Sequence, residues 1–349
     1  MVDGRQTKQV PGRKTDVKDC QWIQELHSYG LLNKCHVTTG KLKSLRTYQR
    51  SREDHIGMSA MHVNHMQKAL TVMNIRLKEV ISQVHGKSGL RMIEAILAGE
   101  RDKKKLLSLC DSRIIKNKKE LVLKALEGIY TEEGIFSLQQ AYNGYKFYEN
   151  QITECDKKIT EILNKINDDK PLKVEEKRKA IRHHKPSVDN LGGHLLTIFS
   201  NKDATTLSGI TDYSWLRLLA EIGIDLSKWK TEKHFTSWLG LSPGQHHSGR
   251  MKRSKRKGRP RAGQIFRVIA QSLINSKTIA LGAFGRRLRA KKGPRIATKA
   301  VARKLAAQYW RLMVKGKDYV EKGVEEYEKQ VYLSKVRAFD RLSKELNVS

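Results

Sequence analysis

Residues 138–166 read LQQAYNGYKFYENQITECDKKITEILNKI, and apolar side chains recur in this stretch at every seventh position. The repeating positions are Leu138, Tyr145, Ile152, Ile159 and Ile166, with Ala141, Tyr148, Cys155 and Ile162 three places after them. This spacing puts both sets on one side of an α-helix, as in the core of a coiled coil. The stretch therefore predicts a long helix that ends at the Asn-Asp-Asp of residues 167–169.

A second heptad series precedes this one in the chain. Its positions are Ile56, Val63, Leu70, Leu77 and Val84, accompanied by Ser59, Met66, Met73 and Val80. At 1.5 Å per residue each helix would be about 45–50 Å long, so the two predict a rod or an antiparallel coiled-coil arm. The pattern fits pairing within one chain, pairing between two chains, or the core of an ordinary helical bundle.

The remaining sequence also favours helices, so the expected fold class is mainly α. Shorter helices are predicted around residues 89–97 and 120–126, and the charged segment 168–186 predicts a linker. Acidic residues return after Asp318 in an amphipathic tail that predicts a closing helix. Four parts are predicted: an amino-terminal piece (residues 1–55), a coiled-coil region (56–170), a linker (171–186) and a carboxyl-terminal domain (187–349).

The 349-residue chain is strongly basic, with 69 Lys and Arg against 36 Asp and Glu and a net charge of +33. Between Lys233 and Lys317 there are 23 Lys or Arg and no acidic residue. A surface of one sign attracts a polyanion, which means nucleic acid or an acidic membrane. Nucleic acid is favoured, because the densest basic stretch lacks the apolar face that a membrane-surface helix needs.

The sequence argues against export, against a zinc knuckle and against a disulfide framework. It contains no run of eighteen apolar residues and no apolar signal-peptide core, so we expect no membrane partner and a cytoplasmic location. The four cysteines stand far apart without CxxC spacing, which is not typical of a zinc knuckle or of a disulfide scaffold.

The densest basic stretch is SGRMKRSKRKGRPR at residues 248–261, called the basic arm below. It has no hydrophobic period and contains Gly and Pro, so it predicts an exposed loop. Farther on, Arg303, Lys304 and Arg311 are spaced as on one basic face of a helix. The candidate nucleic-acid-binding residues are Arg250, Lys252, Arg253, Lys255, Arg256, Lys257, Arg259, Arg261, Arg286, Arg287 and Arg289.

Two carboxylates near the amino terminus are candidate metal ligands. Asp16 and Asp19 lie three residues apart at the start of an amphipathic segment, where Thr15 or Asp16 can cap a helix that ends at Gly30. Such a pair can hold one divalent metal through oxygen ligands, as phosphodiester chemistry requires. The alternative is that they only favour helix formation, because the helix dipole stabilises acidic residues in a first turn.

Ser248 is the candidate nucleophile. It lies in the loop LGLSPGQHHSG at the mouth of the basic arm, where its hydroxyl would stand beside bound phosphate. The alternative is a plain polar turn. No GxSxG, HExxH or P-loop sequence indicates another class of enzyme.

A helix-hairpin-helix-like unit is predicted at the start of the carboxyl-terminal domain. Two apolar helices flank the turn Ser208-Gly209-Ile210, and the second ends at Gly223. The turn amides of such a unit can bind a phosphate, although most helix-Gly-helix turns are simple connections.

Taken in order, several segments resemble the IS110 family of insertion-sequence transposases, in particular its eleven-eleven branch. They are VPGRKTDVKDCQWIQELHSYGLL, LRTYQRSRE, IEAILAGERD, LVLKALEG, FTSWLGLSPGQHHSG and LGAFGRRLRAKKGPRIATKAVARKLA. They span nearly the whole chain in collinear order. The resemblance implies a DNA transposase or site-specific recombinase that cleaves and rejoins DNA strands.

The resemblance also implies specific roles for residues. Family members carry an RNase H-like (RuvC-like) α/β domain with a DEDD set of carboxylates, and this chain would retain a remnant with a short strand at residues 8–10. Asp16 and Asp19 match the last two carboxylates and would hold Mg²⁺. Ser248 matches a serine in a Pro-xxxx-Ser-Gly context and would attack a DNA phosphate to form a covalent intermediate.

The partners implied by the resemblance are DNA, a structured guide RNA and further copies of the chain. The coiled-coil helices would assemble a homo-oligomer, a dimer or a tetramer. The location implied is the bacterial cytoplasm, in association with the nucleoid.

Two departures from the family pattern shape the expectation for activity. Arg250 stands where the family has a second glycine after Ser-Gly, and the first two carboxylates of the family would lie upstream of Asp16. We therefore expect an amino-terminally truncated or split reading frame with little activity alone. The alternatives are a catalytically impaired nucleic-acid-binding fragment, a repressor of a full-length transposase, and a ribosome- or RNA-associated helical factor.

Overall fold

The computed structural model describes residues 16–32, 38–168, 171–172, 178–243, 260–316 and 323–345. The described residues are 74% helical and include no strand, which confirms the mainly α class. None of the helices described is long and apolar enough to cross a bilayer. The predicted strand at residues 8–10 lies outside the described residues.

The helices, numbered in chain order, are α1 (Asp16–Ser28), α2 (Gly40–Val72), α3 (Leu77–Val80), α4 (Lys87–Leu97), α5 (Lys103–Ser108), α6 (Ser112–Ala125), α7 (Glu132–Asn167), α8 (Leu191–Ile198), the 3₁₀ helix Ala204–Thr206, α9 (Asp212–Ile222), α10 (Glu232–Trp238), α11 (Arg261–Asn275), α12 (Ala280–Lys292), α13 (Pro294–Lys315) and α14 (Gly323–Glu345).

The two long helices, α2 and α7, pack side by side as an antiparallel hairpin. At its base Lys41 Nζ lies 2.8 Å from a carboxylate oxygen of Asp168, and midway Ser59 Oγ donates to Glu149 over 2.8 Å. The helices contain 33 and 36 residues, so the hairpin is about 50 Å long. The two heptad series therefore pair within one chain.

The first heptad series does not form one helix, which corrects the prediction. Helix α2 begins at Gly40 and ends at Val72, because Asn74 takes a left-handed conformation with φ 58° that asparagine tolerates. The Asn74 side chain also donates to the carbonyl of Glu127, two residues after the end of α6, over 3.3 Å. The pattern continued past the break because the later positions face the same core, namely Leu77, Val80 and Val84.

Two apolar cores lie along the hairpin. The tip core combines the second half of α2, helices α3 to α6 and the first half of α7. The carboxyl-terminal core combines helices α8 to α13 with Leu45, Ile159 and Leu163 from the base of the hairpin. This second core takes residues from both sides of segment 171–186, and the predicted domain limits remain predictions.

A buried ion pair, called the Arg52 node below, lies between the two cores. Arg52 of α2 is 1% exposed, and its Nε lies 2.5 Å from a carboxylate oxygen of Asp156 on α7. The guanidinium also donates to the Tyr213 hydroxyl of α9 over 3.0 Å and to the His184 carbonyl over 3.2 Å. The Ser187 amide donates to Asp156 over 3.0 Å. The node thus joins the hairpin, residues 184–187 and α9.

Candidate nucleic-acid interface

The structure places Asp16 and Asp19 in the first turn of α1, with both side chains exposed. No group of three His, Cys, Asp or Glu side chains that could hold a metal occurs in the described ranges. Mg²⁺ is commonly held by one or two carboxylates while water and substrate phosphate fill its other positions. The exposed pair fits that donor chemistry.

Ser248 and seven of the candidate basic residues, from Arg250 to Arg259, lie outside the described residues. The structure describes the chain up to Pro243 and again from Pro260. Before this segment, just after the end of α10, the chain turns at Gly240, which has a φ of 67°. Leu241 is 1% exposed and holds the turn in the carboxyl-terminal core.

Three contacts fix the base of the basic arm to helices α11 and α13. Arg267 of α11 donates to the Gly240 carbonyl over 3.0 Å, and Lys299 of α13 donates to the Ser242 carbonyl over 2.6 Å. Gly263, in the first turn of α11, lies so close to Leu239 that an added Cβ would stand 2.1 Å from the Leu239 carbonyl oxygen. The chain before and after residues 244–259 is therefore joined at one place.

Replacing Gly263 with alanine is expected to destabilise the protein by about 1–3 kcal/mol, because the methyl group would meet a backbone oxygen that cannot rotate away. Urea unfolding followed by circular dichroism measures this change. Gly57 of α2 is the matched control: an added Cβ there meets nothing within 4 Å, and alanine should stabilise by about 0.5–1 kcal/mol. If the Gly263→Ala protein were as stable as the wild type, the close contact between Gly263 and Leu239 at the base of the arm would be contradicted.

A group of arginines lies beside this base. Arg261 opens α11 and its guanidinium lies 3.8 Å from the Asp54 carboxylate of α2. Burial lowers the pKa of Arg46, Glu221 opposes that effect, and Arg50 and Arg261 lower the pKa further because their like charges are near. Arg50 in turn makes two hydrogen bonds to Glu221, of 2.7 and 2.8 Å. Helix α2 thus adds Arg46 and Arg50 to the basic surface, and its Asp54 carboxylate partly neutralises Arg261.

The three candidate arginines of α12 have different surroundings. Arg286 is half-buried and donates to the Ile274 carbonyl over 3.2 Å and to the Ser276 carbonyl, so it caps the carboxyl end of α11. Arg287 and Arg289 are exposed. The structure therefore leaves Arg287 and Arg289 accessible to a phosphate and uses Arg286 in packing.

Three further exposed cations at the joint of α12 and α13 were not singled out from the sequence: Lys291, Lys292 and Arg295. Gly293, with φ 82°, turns the chain between the two helices. In the sequence, these three cations could have been recognised from the Lys-Lys-Gly-Pro-Arg run at residues 291–295, inside the acid-free stretch. Together with Arg289 they form an accessible basic surface at this joint.

The basic face predicted for α13 is partly used within the protein. Arg311 forms a two-pronged ion pair with Glu232 of α10, which lowers the pKa of that carboxyl. The ammonium of Lys304 lies 3.9 Å from the centre of the Phe284 ring on α12. These contacts help to hold α13 against α10 and α12.

The Ser208-Gly209-Ile210 turn packs against α11. Gly209 has φ 78°, and an added Cβ would lie 2.9 Å from the side chains of Ile269 and Leu273. Lys179, from the segment predicted as a linker, donates to the Leu207 carbonyl over 2.8 Å. Thr211 then caps α9 in a capping box, in which the Ser214 amide donates to the Thr211 hydroxyl and the Thr211 amide donates to the Ser214 hydroxyl. The helix-hairpin-helix assignment remains a prediction.

The chain is similar to the Transposase IS116/IS110/IS902 family, whose model matches residues 202–284. The match begins just before the 3₁₀ helix and runs through the Gly209 turn, α9, α10, the residues of the basic arm and α11 into α12. It supports a transposase or recombinase role and, with it, DNA binding. None of the curated proteins matches the chain.

Proposed function

We propose that this protein is a DNA transposase of the insertion-sequence type, which binds DNA through the acid-free surface and cleaves and rejoins DNA strands. The observation that carries the proposal is the family match over residues 202–284, because it includes the basic arm and α11, one of the two helices that anchor it. The net charge of +33 supports a phosphate-bearing partner.

In the proposed reaction Ser248 Oγ attacks a DNA backbone phosphorus. A bond forms between Oγ and phosphorus, the bond to one deoxyribose oxygen breaks, and that oxygen leaves with a proton while the serine proton passes to a base. Rejoining reverses these steps with the hydroxyl of another strand. The structure supports this role indirectly, since it fixes the base of the loop that carries Ser248.

The proposal includes Mg²⁺, a structured guide RNA and assembly of several copies. Asp16 and Asp19 would hold the metal, which when bound lowers the charge on the attacked phosphate. The guide RNA and the homo-oligomer rest on the resemblance of the sequence. Because the heptad faces of α2 and α7 pack on each other, assembly would use other surfaces of the hairpin.

The proposal is tested by incubating an excess of the protein with a nicked DNA substrate and Mg²⁺, followed by denaturing electrophoresis. Excess protein requires only a single turnover, so even the low activity expected of this chain alone should give a protease-sensitive protein–DNA adduct. Salt-sensitive binding without any adduct would favour the second hypothesis, a nucleic-acid-binding protein or repressor without catalysis.

DNA affinity is expected to fall steeply with salt, since each phosphate contact releases counterions and contributes about 0.9 to the slope of log K against log salt. Replacing Lys255, Arg256 and Lys257 together with glutamine should reduce that slope by about 2–3. Fluorescence anisotropy measures the slope: a labelled duplex is titrated with the protein at several salt concentrations between about 50 and 300 mM.

The matched control is the triple change of Lys103, Lys104 and Lys105 to glutamine. These lysines form an equally dense basic run on α5, in the tip core region of the hairpin. The control should leave the slope unchanged. Equal losses in both triple variants would mean that the binding follows net charge alone and does not use the basic arm.

A further inference from the structure

A cleft lies between α12 and α14, on the side of the carboxyl-terminal core. Its volume is about 400 Å³, which is within the range of roughly 300–1,000 Å³ that small ligands occupy. The lining residues are Ala283, Arg286, Arg287, Tyr327, Glu328, Val331, Tyr332 and Lys335. Aromatic and basic side chains therefore dominate its walls.

The two tyrosines differ in exposure. The ring of Tyr327 lies 5.6 Å below the guanidinium of Arg287, which already covers one of its faces. The Tyr327 hydroxyl is buried and has no hydrogen-bond partner among the described residues. Tyr332 is 67% exposed at the mouth. The cleft thus offers a stacking surface outside and an unpaired hydroxyl inside.

The charge of the cleft favours an anion. Arg286 already caps α11, so Arg287 and Lys335 are the cations that the cleft can present, against one lining acid, Glu328. Burial and the like charge of the nearby Arg287 both lower the pKa of Lys304, which indicates that positive charge is crowded here. An anionic ligand would relieve this repulsion.

We propose that the cleft binds one unpaired nucleotide of a single-stranded nucleic acid. The base stacks on Tyr332 while the phosphate lies between Arg287 and Lys335, and a turn of the Tyr327 side chain brings its buried hydroxyl to the edge of the base. A paired base cannot enter, because its faces are covered by its neighbours in the duplex and its edge is hydrogen-bonded. This inference rests on the proposed function and adds to it a site for unpaired strands, from DNA or RNA.

Anisotropy titrations of the full chain with a labelled oligothymidine, the matching oligouridine and a hairpin duplex test the site. Stacking on one aromatic side chain accounts for roughly five- to hundredfold in affinity. Tyr332→Ala should therefore weaken single-strand binding by at least about fivefold and leave duplex binding unchanged. Tyr332→Phe keeps the ring and should bind like the wild type.

Tyr29 provides the matched control, since it is 76% exposed and belongs to the amino-terminal segment. Tyr29→Ala should change none of the affinities. The site is overturned if Tyr332→Ala binds single strands as well as the wild type, or if it loses single-strand and duplex binding equally. If the wild type binds no nucleic acid even at low salt, the proposed function itself fails. The DNA and RNA oligomers show which strand is preferred.

Discussion

Arg52→Ala is expected to lower the free energy of unfolding by about 3–5 kcal/mol. The change leaves Asp156, which is 2% exposed, as a buried carboxylate without its countercharge. It also removes the donors to the Tyr213 hydroxyl and the His184 carbonyl, and so loosens the hairpin from α9. Urea unfolding followed by circular dichroism and tryptophan fluorescence measures the loss.

Arg311→Ala is the matched control for this prediction. Arg311 also pairs with a carboxylate, that of Glu232, but its side chain is 50% exposed, so solvent screens the pair. Its loss should lower stability by less than about 1 kcal/mol. A double variant, Arg52→Met with Asp156→Leu, should recover most of the stability, because it removes both buried charges. The role given to the Arg52 node would be wrong if Arg52→Ala unfolded like the wild type.

The sequence predicted the hairpin because its apolar positions repeat. Val63, Leu70, Leu138 and Ile159 are all buried, as their heptad positions require. The same repeat extends back from Ser59 through Arg52, one heptad earlier, but an arginine carries no apolar signal. Apolar periodicity therefore located the seam and missed its amino-terminal part, where a polar contact replaces an apolar one.

The charge pattern of the sequence located the basic surface, but it could not distinguish the exposed basic residues from those that pack within the protein. Neighbouring residues on a helix point about 100° apart, so Arg286 turns to the end of α11 while Arg287 is exposed. Glu232 lies one residue before the acid-free stretch, and only the fold brings it to Arg311. Such assignments depend on tertiary contacts that no local pattern encodes.

Under the proposed function, Ser248→Ala is expected to abolish the covalent protein–DNA adduct completely, because alanine has no oxygen to bond to phosphorus. Duplex affinity should stay within about twofold of the wild type, since a surface substitution of this size changes free energies by about 0.5 kcal/mol. Denaturing electrophoresis of the nicked-substrate reaction measures the adduct, and anisotropy measures the affinity on the same preparations.

The basic arm supplies its own control, Ser254, six residues farther along the same segment. Ser254→Ala removes an identical hydroxyl from equally basic surroundings, so it should leave both adduct and affinity intact. An adduct that persists in Ser248→Ala, or disappears in Ser254→Ala, would place the nucleophile elsewhere. Parallel loss of adduct and duplex binding in Ser248→Ala would instead give this serine a role in binding. Because the loop base is held by Arg267 and Lys299 in either case, the two outcomes separate chemistry from anchoring.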